Sequence, residues 1–151
     1  MNEVPYSFEP PRIDFRYEFI SVSKQKQVKK VVHFSPTDVE GLYNLALLDV
    51  LYDGKTSDLT ETNNKDMNTV LATVVQIIID FFDKNPTNFV FIQGSDARRQ
   101  RLYQIVINRE LELIQKHFRV LGYDGKNIEV FQSGQPYEYF IISKLDKSWK
   151  N

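Results

Sequence analysis

The chain has 151 residues, the length of one typical domain, and its 19 basic and 20 acidic side chains leave a net charge of −1. This balance argues against a strongly basic nucleic-acid-binding protein. The chain contains no cysteine, which excludes disulfides, thiol catalysis and cysteine-ligated metal centres, and its two histidines are too few for a histidine-rich metal centre. We therefore predict a single domain over residues 1–151, with no metal site and no cofactor.

The beginning of the chain and its longest apolar run indicate where the protein resides. The first 12 residues include Pro5, Pro10 and Pro11, which predicts an extended arm instead of a signal peptide. The apolar run from Val70 to Phe82 is interrupted by polar residues and is far shorter than the roughly 20 apolar residues that span a bilayer. We expect a cytoplasmic protein that does not contact a membrane.

The amino-terminal part of the chain predicts three strands. Apolar and charged residues alternate from Ile13 to Phe19, which is typical of a half-buried strand, and Val28 to Phe34 predicts a second strand that pairs with it as a hairpin. The apolar run from Leu42 to Leu51 fits either a buried strand or a short helix. The two preceding strands and the turn signal at Asp53–Gly54 favour a strand. The polar residues 53–66 predict a loop.

The clearest helix of the chain follows this loop. Apolar residues recur every three or four positions from Val70 to Phe82, as one broad buried stripe requires. Asn63 or Asn64 is the predicted N-cap residue. The helix is predicted to end at Asn85–Pro86, because the residue before a proline avoids the helical region.

The carboxyl-terminal part predicts further strands and a second helix. Residues Asn88–Gln93 are nearly all apolar, which predicts a central strand covered on both faces. A long helix is predicted from about Asp96 to His117, and a strand from Arg119 to Tyr123. The segments Asn127–Phe131 and Tyr137–Ser143 predict a final hairpin, joined by the turn-rich linker between them.

Together these elements predict an α+β fold. We expect a mainly antiparallel sheet of about five to six strands with two long helices packed on one face. In this single domain, residues 1–12 are the extended arm and residues 144–151 are a flexible tail.

One local feature of the sequence predicts a ligand site. Gly94 and Ser95 form a turn between the apolar strand and the second helix, and N–H groups at a helix N-terminus attract anions. Arg98 and Arg101 lie three positions apart on one helical face, where two guanidinium groups can grip a phosphate or a carboxylate. With Tyr103 at the end of the segment, these five residues are the candidate anion-binding site.

The same segment also has a purely structural interpretation. Ser95 can serve simply as the N-cap residue, and the arginines can cover the sheet edge or pair with the acidic residues of the segment 49–66. The spacing of a phosphate-binding P-loop is missing, and Asp96 adds a negative charge where an anion would lie. The structural interpretation is therefore favoured over an anion site.

Two basic clusters raise the question of nucleic-acid contact. The first contains Lys24, Lys26, Lys29 and Lys30, and the second extends from Arg98 to Arg119. If both clusters share a face, weak contact with RNA or DNA follows. A solvated surface is the favoured alternative, and no catalytic set can be assigned from residue spacing.

Several blocks of the chain resemble a family of uncharacterised bacterial proteins of about this length, found mainly in Bacteroidetes. The resemblance rests on Tyr43-Asn44-Leu45-Ala46, on Asn64-x-Asp66, and above all on Gly94-Ser95-x-x-Arg98-x-x-Arg101-Leu102-Tyr103. It implies the fold and the location of the candidate site, and it carries no established activity.

Two further hypotheses about function stand beside weak nucleic-acid contact through the two basic clusters. The favoured one is a small non-enzymatic interaction module with a protein partner or a homodimeric form, for example one half of a toxin–antitoxin or defence gene pair. The alternative is a nucleotide-, phosphate- or RNA-binding protein that uses the helix N-terminus at Gly94–Arg101.

Overall fold

The computed structural model describes residues 4–8, 15–22, 27–51, 53–57 and 66–145. In chain order its elements are β1 (Arg16–Val22), β2 (Gln27–Pro36), β3 (Leu42–Val50), β4 (Thr56–Ser57), α1 (Met67–Lys84), β5 (Phe89–Ile92), α2 (Ala97–Ile114), β6 (Phe118–Tyr123), β7 (Ile128–Val130) and β8 (Tyr139–Lys144). Neither helix within these ranges combines the length and the apolar character that a membrane span requires.

The strands form one sheet in the order β1-β2-β3-β5-β8-β6-β7, and β4 pairs with β3 outside this path. The pairing of β3 with β5 is parallel and the other pairings are antiparallel. A parallel pair needs a crossover connection, and α1 lies in the segment that joins these two strands. The predicted α+β class is confirmed. The sheet exceeds the predicted five to six strands, and the strand that was not predicted is β4, whose two residues lie within the predicted loop 53–66 and are too few to show an alternating pattern.

The first three strands agree with their predictions. β1 and β2 pair as an antiparallel hairpin, with Tyr17 opposite Val32. The ambiguous apolar run is a strand, since β3 covers Leu42–Val50 and pairs with β2 along most of its length. Alternation in β1 buries Tyr17 and Phe19 and leaves Arg16 exposed, as a half-buried strand requires.

Helix α1 begins at a different residue from the one predicted. Its N-cap residue is Asp66, while Asn63 and Asn64 lie outside the described residues. The Asp66 carboxylate makes no capping hydrogen bond, because it accepts hydrogen bonds from Tyr6 and Ser21 instead. The predicted end is confirmed: the Asn85 side chain donates a hydrogen bond of 3.0 Å to the Phe81 carbonyl oxygen.

The prediction of a final hairpin is wrong. β6 lies between β7 and β8 and pairs with both of them. The tight connection is the one from β6 to β7, where Gly125 adopts a φ of 102°. Asp124 Oδ1 accepts hydrogen bonds of 2.8 Å from the backbone N–H groups of Lys126 and Asn127. A strand that follows such a turn pairs with the strand before it, which leaves β8 on the other side of β6.

The two faces of the sheet differ in what they contact. Val90, Ile142 and Val120 lie in register on one side, which we call the inner face. This face and both helices line a common apolar cavity. On the same side of the sheet, Phe81 of α1 stacks on Phe34 of β2 with ring centroids 4.2 Å apart. The aromatic and aliphatic core of the protein therefore lies between the inner face and the helices.

Strand β5 is central in the sheet, but the predicted cover on both of its faces is wrong. Val90 is buried on the inner face, whereas Phe89 is 45% exposed. The reason is the alternation of the strand, which directs Phe89 and Phe91 to the side opposite the core. A continuous apolar run cannot distinguish cover on both faces from one apolar face left open.

Part of the predicted amino-terminal arm packs against β1. The Tyr6 ring stacks on Phe19 at 5.9 Å, and Phe8 contacts Tyr17 edge-on at 5.7 Å. The Tyr6 backbone N–H also donates a hydrogen bond of 2.9 Å to Thr73 Oγ1 of α1. Residues 1–3 and 9–12 of the arm, and residues 146–151 of the predicted tail, lie outside the described residues.

Candidate functional site

The start of α2, where the anion site is predicted, is capped by the protein itself. Asp96 is the N-cap residue, and its Oδ1 accepts a hydrogen bond of 2.8 Å from the Arg99 backbone N–H. This hydrogen bond and the nearby Arg99 guanidinium, 3.0 Å from Oδ2, hold the pKa of Asp96 below its ordinary value. Ser95 is exposed and is not the N-cap residue. The Asp96 carboxylate thus lies where an external anion would bind.

Gly94 is required by close packing of the turn. A Cβ atom at this position would lie 2.2 Å from the backbone nitrogen of Gln100, closer than van der Waals contact permits. The Gly94 N–H donates a hydrogen bond of 2.7 Å to Gln100 Oε1, and Gln100 Nε2 donates one of 3.0 Å to the Tyr137 carbonyl oxygen. Gly94 therefore allows the turn to lie against the first turn of α2.

The remaining residues of the predicted anion site lie in different environments. Arg98 and Arg101 are exposed on the first turns of α2. Tyr103 is one of the residues that line the apolar cavity beneath the helix. The two arginines and the tyrosine thus do not converge on one surface, and anion binding at this turn stays a prediction.

The lysines of the first basic cluster that the structure describes lie on opposite faces of β2. Lys29 pairs with Glu18 at 3.0 Å and is half exposed. Lys30 is buried and pairs with Asp49 at 2.6 Å. Lys24 and Lys26 lie outside the described residues. Because Lys30 points towards the core, it cannot contribute to a basic surface.

The buried pair of Lys30 and Asp49 is a feature that sequence reasoning missed. Lys30 Nζ donates its hydrogen bond to Asp49 Oδ1, while Asp49 Oδ2 is buried without a hydrogen-bond partner in the described part of the chain. A signal was present, since Lys30 alternates in phase with the buried Val32 and Phe34. The pair joins β2 to β3 through a buried ion pair.

A second polar cluster joins the arm, β1 and α1. Asp66 Oδ2 accepts a hydrogen bond of 2.6 Å from the Tyr6 hydroxyl and another from Ser21 Oγ. Burial and the hydrogen bond to Asp66 raise the pKa of Tyr6. Within the ranges described, no three His, Cys, Asp or Glu side chains are grouped so that they could hold a metal ion. The cluster fastens the arm to the domain.

The cavity between the helices and the inner face has a volume of about 70 Å³. Its walls are apolar side chains such as Leu45, Val74, Val106, Ile107 and Ile142. Sites for small organic ligands usually enclose about 300 Å³ or more. The cavity is therefore a gap in core packing and not a ligand site of that size.

The face opposite the cavity, the outer face, carries three rows of side chains that cross neighbouring strands. Residues in register share a face, so the rows follow from the strand pairing. The first row is Phe89, Ser143 and Arg119; the second is Phe91, Ile141, Leu121 and Val130; the third is Tyr139, Tyr123 and Ile128. We call the eight apolar residues of these rows the outer patch.

The outer patch is accessible and contains stacked aromatic rings. Phe89 is 45% exposed, Ile128 is 51% exposed and Val130 is 53% exposed, although all three belong to strands. The rings of Tyr123 and Tyr139 stack with centroids 4.8 Å apart. Contiguous exposed apolar side chains make the outer patch the candidate interaction surface of the described residues.

Charged residues lie at both ends of the outer patch. Arg119 lies at one end of β6 in the first row, and Asp124 directly follows the other end of the same strand. Glu138 is exposed directly before Tyr139, and its backbone N–H donates a hydrogen bond of 2.7 Å to the Tyr123 carbonyl oxygen. The Asp124 carboxylate is hydrogen-bonded to Glu129, which is in register with Gly122 and the buried Phe140 on the inner face. The exposed Lys126 lies in the same turn, so the carboxylates do not give the outer patch an acidic end.

The fold and the outer patch define an α+β domain with helices on the inner face of a sheet and an exposed apolar surface on the outer face. Residues 2–145 match the model of a family of unknown function (DUF6934), and the chain therefore belongs to this family. No curated protein and no solved structure matches the chain.

Proposed function

We propose that this protein is a non-enzymatic interaction module whose outer patch binds a protein surface. The observation that carries the proposal is the exposure of Phe89, Ile128 and Val130 beside the stacked tyrosines. Aromatic residues are enriched in protein interfaces because they contribute large contact areas at low conformational cost. Burial of these side chains against a partner would release the water that now covers them.

Charge supports a protein ligand over a nucleic acid. Stacked aromatic rings on an open sheet can also bind bases, and the Tyr123 and Tyr139 rings have the geometry for it. However, the net charge of the chain is −1, which gives no general attraction for the phosphates of a bound strand, and Lys30 is buried in an ion pair.

Affinity capture from an extract of the source organism tests the proposal. The substitution Val130→Lys introduces a charge at an exposed position of the outer patch, and the matched control Gln76→Lys introduces the same charge on the exposed side of α1. We expect the wild type and Gln76→Lys to retain the same protein, and Val130→Lys to retain about tenfold less of it. Thermal unfolding verifies that both variants are folded.

Two outcomes would overturn the proposal. One is equal capture of that protein by the wild type and Val130→Lys. The other is binding of a fluorescent single-stranded RNA that weakens steeply with salt and is lost in Val130→Lys, which would make the outer patch a nucleic-acid surface.

A further inference from the structure

We infer that the cleft between β1 and α1 is a binding site for an extended peptide segment of the form Tyr-x-Phe, and that the arm at residues 4–8 fills this site in competition with such a segment. The site, which we call the arm cleft, is formed by Tyr17, Phe19 and Ser21 of β1 with Asp66 and Thr73 at the start of α1. It does not depend on the proposed function, because β1 and the outer patch lie at opposite ends of the sheet.

Two aromatic side chains of the arm contact two aromatic side chains of β1. The Tyr6 ring stacks on Phe19 with centroids 5.9 Å apart, and Phe8 meets Tyr17 edge-on at 5.7 Å. Tyr6 and Phe8 are two positions apart, so both point to the same side of an extended segment, whereas Ser7 between them is exposed. Sheets recognise extended peptides in this way, through pockets for alternate side chains.

The arm cleft also recognises the backbone and the tyrosine hydroxyl of the arm. The Tyr6 N–H donates a hydrogen bond of 2.9 Å to Thr73 Oγ1, and the Tyr6 hydroxyl donates one of 2.6 Å to Asp66 Oδ2. The same hydroxyl accepts a hydrogen bond of 3.2 Å from the backbone N–H of Val22. These contacts select tyrosine at the first aromatic position, and a segment of another chain can make each of them.

The polar groups of the arm cleft have other partners when the arm leaves. Thr73 Oγ1 donates a hydrogen bond of 2.7 Å to the Thr69 carbonyl oxygen, which the arm does not affect. Asp66 is the N-cap residue of α1, and its carboxylate can turn to the N–H groups of the helix once it no longer holds the arm. Val22 is exposed at the edge of the sheet, where water can replace the hydroxyl. Release of the arm therefore leaves these three groups satisfied.

Release of the arm uncovers apolar surface that a competing segment can bind. With the arm in place, Tyr17 is 0% exposed and Phe19 is 3% exposed. Val4 at the start of the arm is 84% exposed, so the contact rests on the rings of Tyr6 and Phe8. A tether of a few residues gives such a segment an effective concentration of about 1 mM. The arm thus excludes weak competitors and yields to a segment that binds more tightly.

Peptide binding to a full-length variant tests the inference. Tyr6→Ala combined with Phe8→Ala removes both rings of the arm from the arm cleft, and the probe is a fluorescent peptide with the sequence Val-Pro-Tyr-Ser-Phe of residues 4–8. Fluorescence polarisation should show saturable binding to this double variant. Binding to the wild type should be about tenfold weaker, because the tethered arm competes with the peptide.

A mutant cycle locates the peptide in the arm cleft. A peptide with Tyr6→Phe lacks the hydroxyl and should bind the double variant about tenfold more weakly than the original peptide. Addition of Asp66→Ala to the double variant removes the acceptor, so the two peptides should then bind with about equal affinity. Gln76→Ala on the exposed side of α1 is the matched control, in which the tenfold difference should remain.

Hydrogen exchange of the wild type tests the arm without any substitution. The Tyr6 amide should be far less protected than the amide of the buried Val32 in β2, because the arm opens while the sheet stays folded. Equal protection of the two amides would overturn the inference. The same conclusion follows if the double variant is unfolded, if it is folded and does not bind the peptide at about 1 mM, or if the Tyr6→Phe difference persists with Asp66→Ala.

Discussion

The Tyr17 hydroxyl donates a hydrogen bond of 2.6 Å to Asp80 Oδ2, and this contact joins the edge strand β1 to helix α1. The Tyr17 ring is fully buried, and burial together with the hydrogen bond to Asp80 raises the pKa of its hydroxyl. Lys84 donates a second hydrogen bond of 2.9 Å to the same carboxylate oxygen. The Asp80 carboxylate thus connects a tyrosine of the sheet with a lysine of the helix.

Removal of the Tyr17 hydroxyl should destabilise the protein. Tyr17→Phe keeps the ring and leaves Asp80 without the donor from β1, which should lower the free energy of unfolding by about 1–2 kcal/mol at neutral pH. Urea unfolding followed by circular dichroism measures the change. Tyr43→Phe is the matched control, since that ring packs edge-on against Phe81 as the Tyr17 ring packs against Phe34; an equal loss in both variants would contradict a role for the hydroxyl.

The loss of unfolding free energy caused by Tyr17→Phe should depend on pH. Burial raises the pKa of Asp80, but the hydrogen bonds from Tyr17 and Lys84 outweigh it, so the pKa lies below its ordinary value. A carboxyl with a lowered pKa contributes stability that is present above its unfolded-state pKa and is lost as pH falls through the folded-state value. The difference between wild type and Tyr17→Phe should therefore shrink as the pH falls through this acidic range. A difference in unfolding free energy that is constant with pH would contradict the conclusion that the hydrogen bond from Tyr17 stabilises the Asp80 carboxylate.

The buried pair of Lys30 and Asp49 predicts a strongly non-additive mutant cycle. Lys30→Met leaves Asp49 buried without a cation and should cost about 3–5 kcal/mol of unfolding free energy. Addition of Asp49→Leu removes the uncompensated charge and should restore most of the loss. Chemical denaturation of the two single variants and the double variant measures the coupling. A double variant less stable than Lys30→Met alone would show that the pair is not the source of the cost.

Local patterns predicted the elements whose partners are close in sequence. The β1–β2 hairpin follows from alternation on both sides of a short connection, and α1 follows from its apolar stripe ending at Asn85. The position of β8 could not be predicted in this way. Its partners β5 and β6 are separated from it by α2 or by β7, so the pairing is decided by packing of the whole sheet.

The side-chain contacts at the candidate site also could not be predicted from the sequence. The segment Ser95-Asp96 contains two good N-cap residues, and only the structure distinguishes them, through the hydrogen bond from Arg99 to Asp96. The outer patch was missed for a different reason. The sequence predicts every apolar residue of β5, β6 and β8 to be part of the core. Which of these residues face away from the helices depends on the strand order, which the sequence does not give.

The gap in the core predicts that one added methylene group stabilises the protein. Val106 is buried and lines the cavity, so Val106→Ile should fill part of it and raise the free energy of unfolding by about 0.5–1 kcal/mol. Val90 is buried but does not line the cavity, so Val90→Ile should be neutral or destabilising. Thermal and urea unfolding compare the two variants. A stabilisation of the same size in both would show that the cavity is not responsible.

The capped start of α2 predicts how anion binding at this turn responds to substitution. Asp96 occupies the N-terminal N–H donors and repels phosphate, so Asp96→Asn should increase the affinity for inorganic phosphate. Asparagine is also a good N-cap residue, so the helix should keep its start. Arg98→Ala or Arg101→Ala in the Asp96→Asn background should reduce the affinity again, because the guanidinium groups are exposed on the same turns.

Titration with inorganic phosphate, followed by the amide resonance of Arg99, measures this binding. In Asp96→Asn the resonance should shift with phosphate concentration and the shift should weaken with added salt, since the interaction is electrostatic and exposed. Lys116 is exposed just beyond the C-terminal end of α2, and Lys116→Ala is the control for a general loss of positive charge. A phosphate affinity that is the same in the wild type and Asp96→Asn would contradict competition by the carboxylate, because the negative charge would then have no effect on the donors it caps.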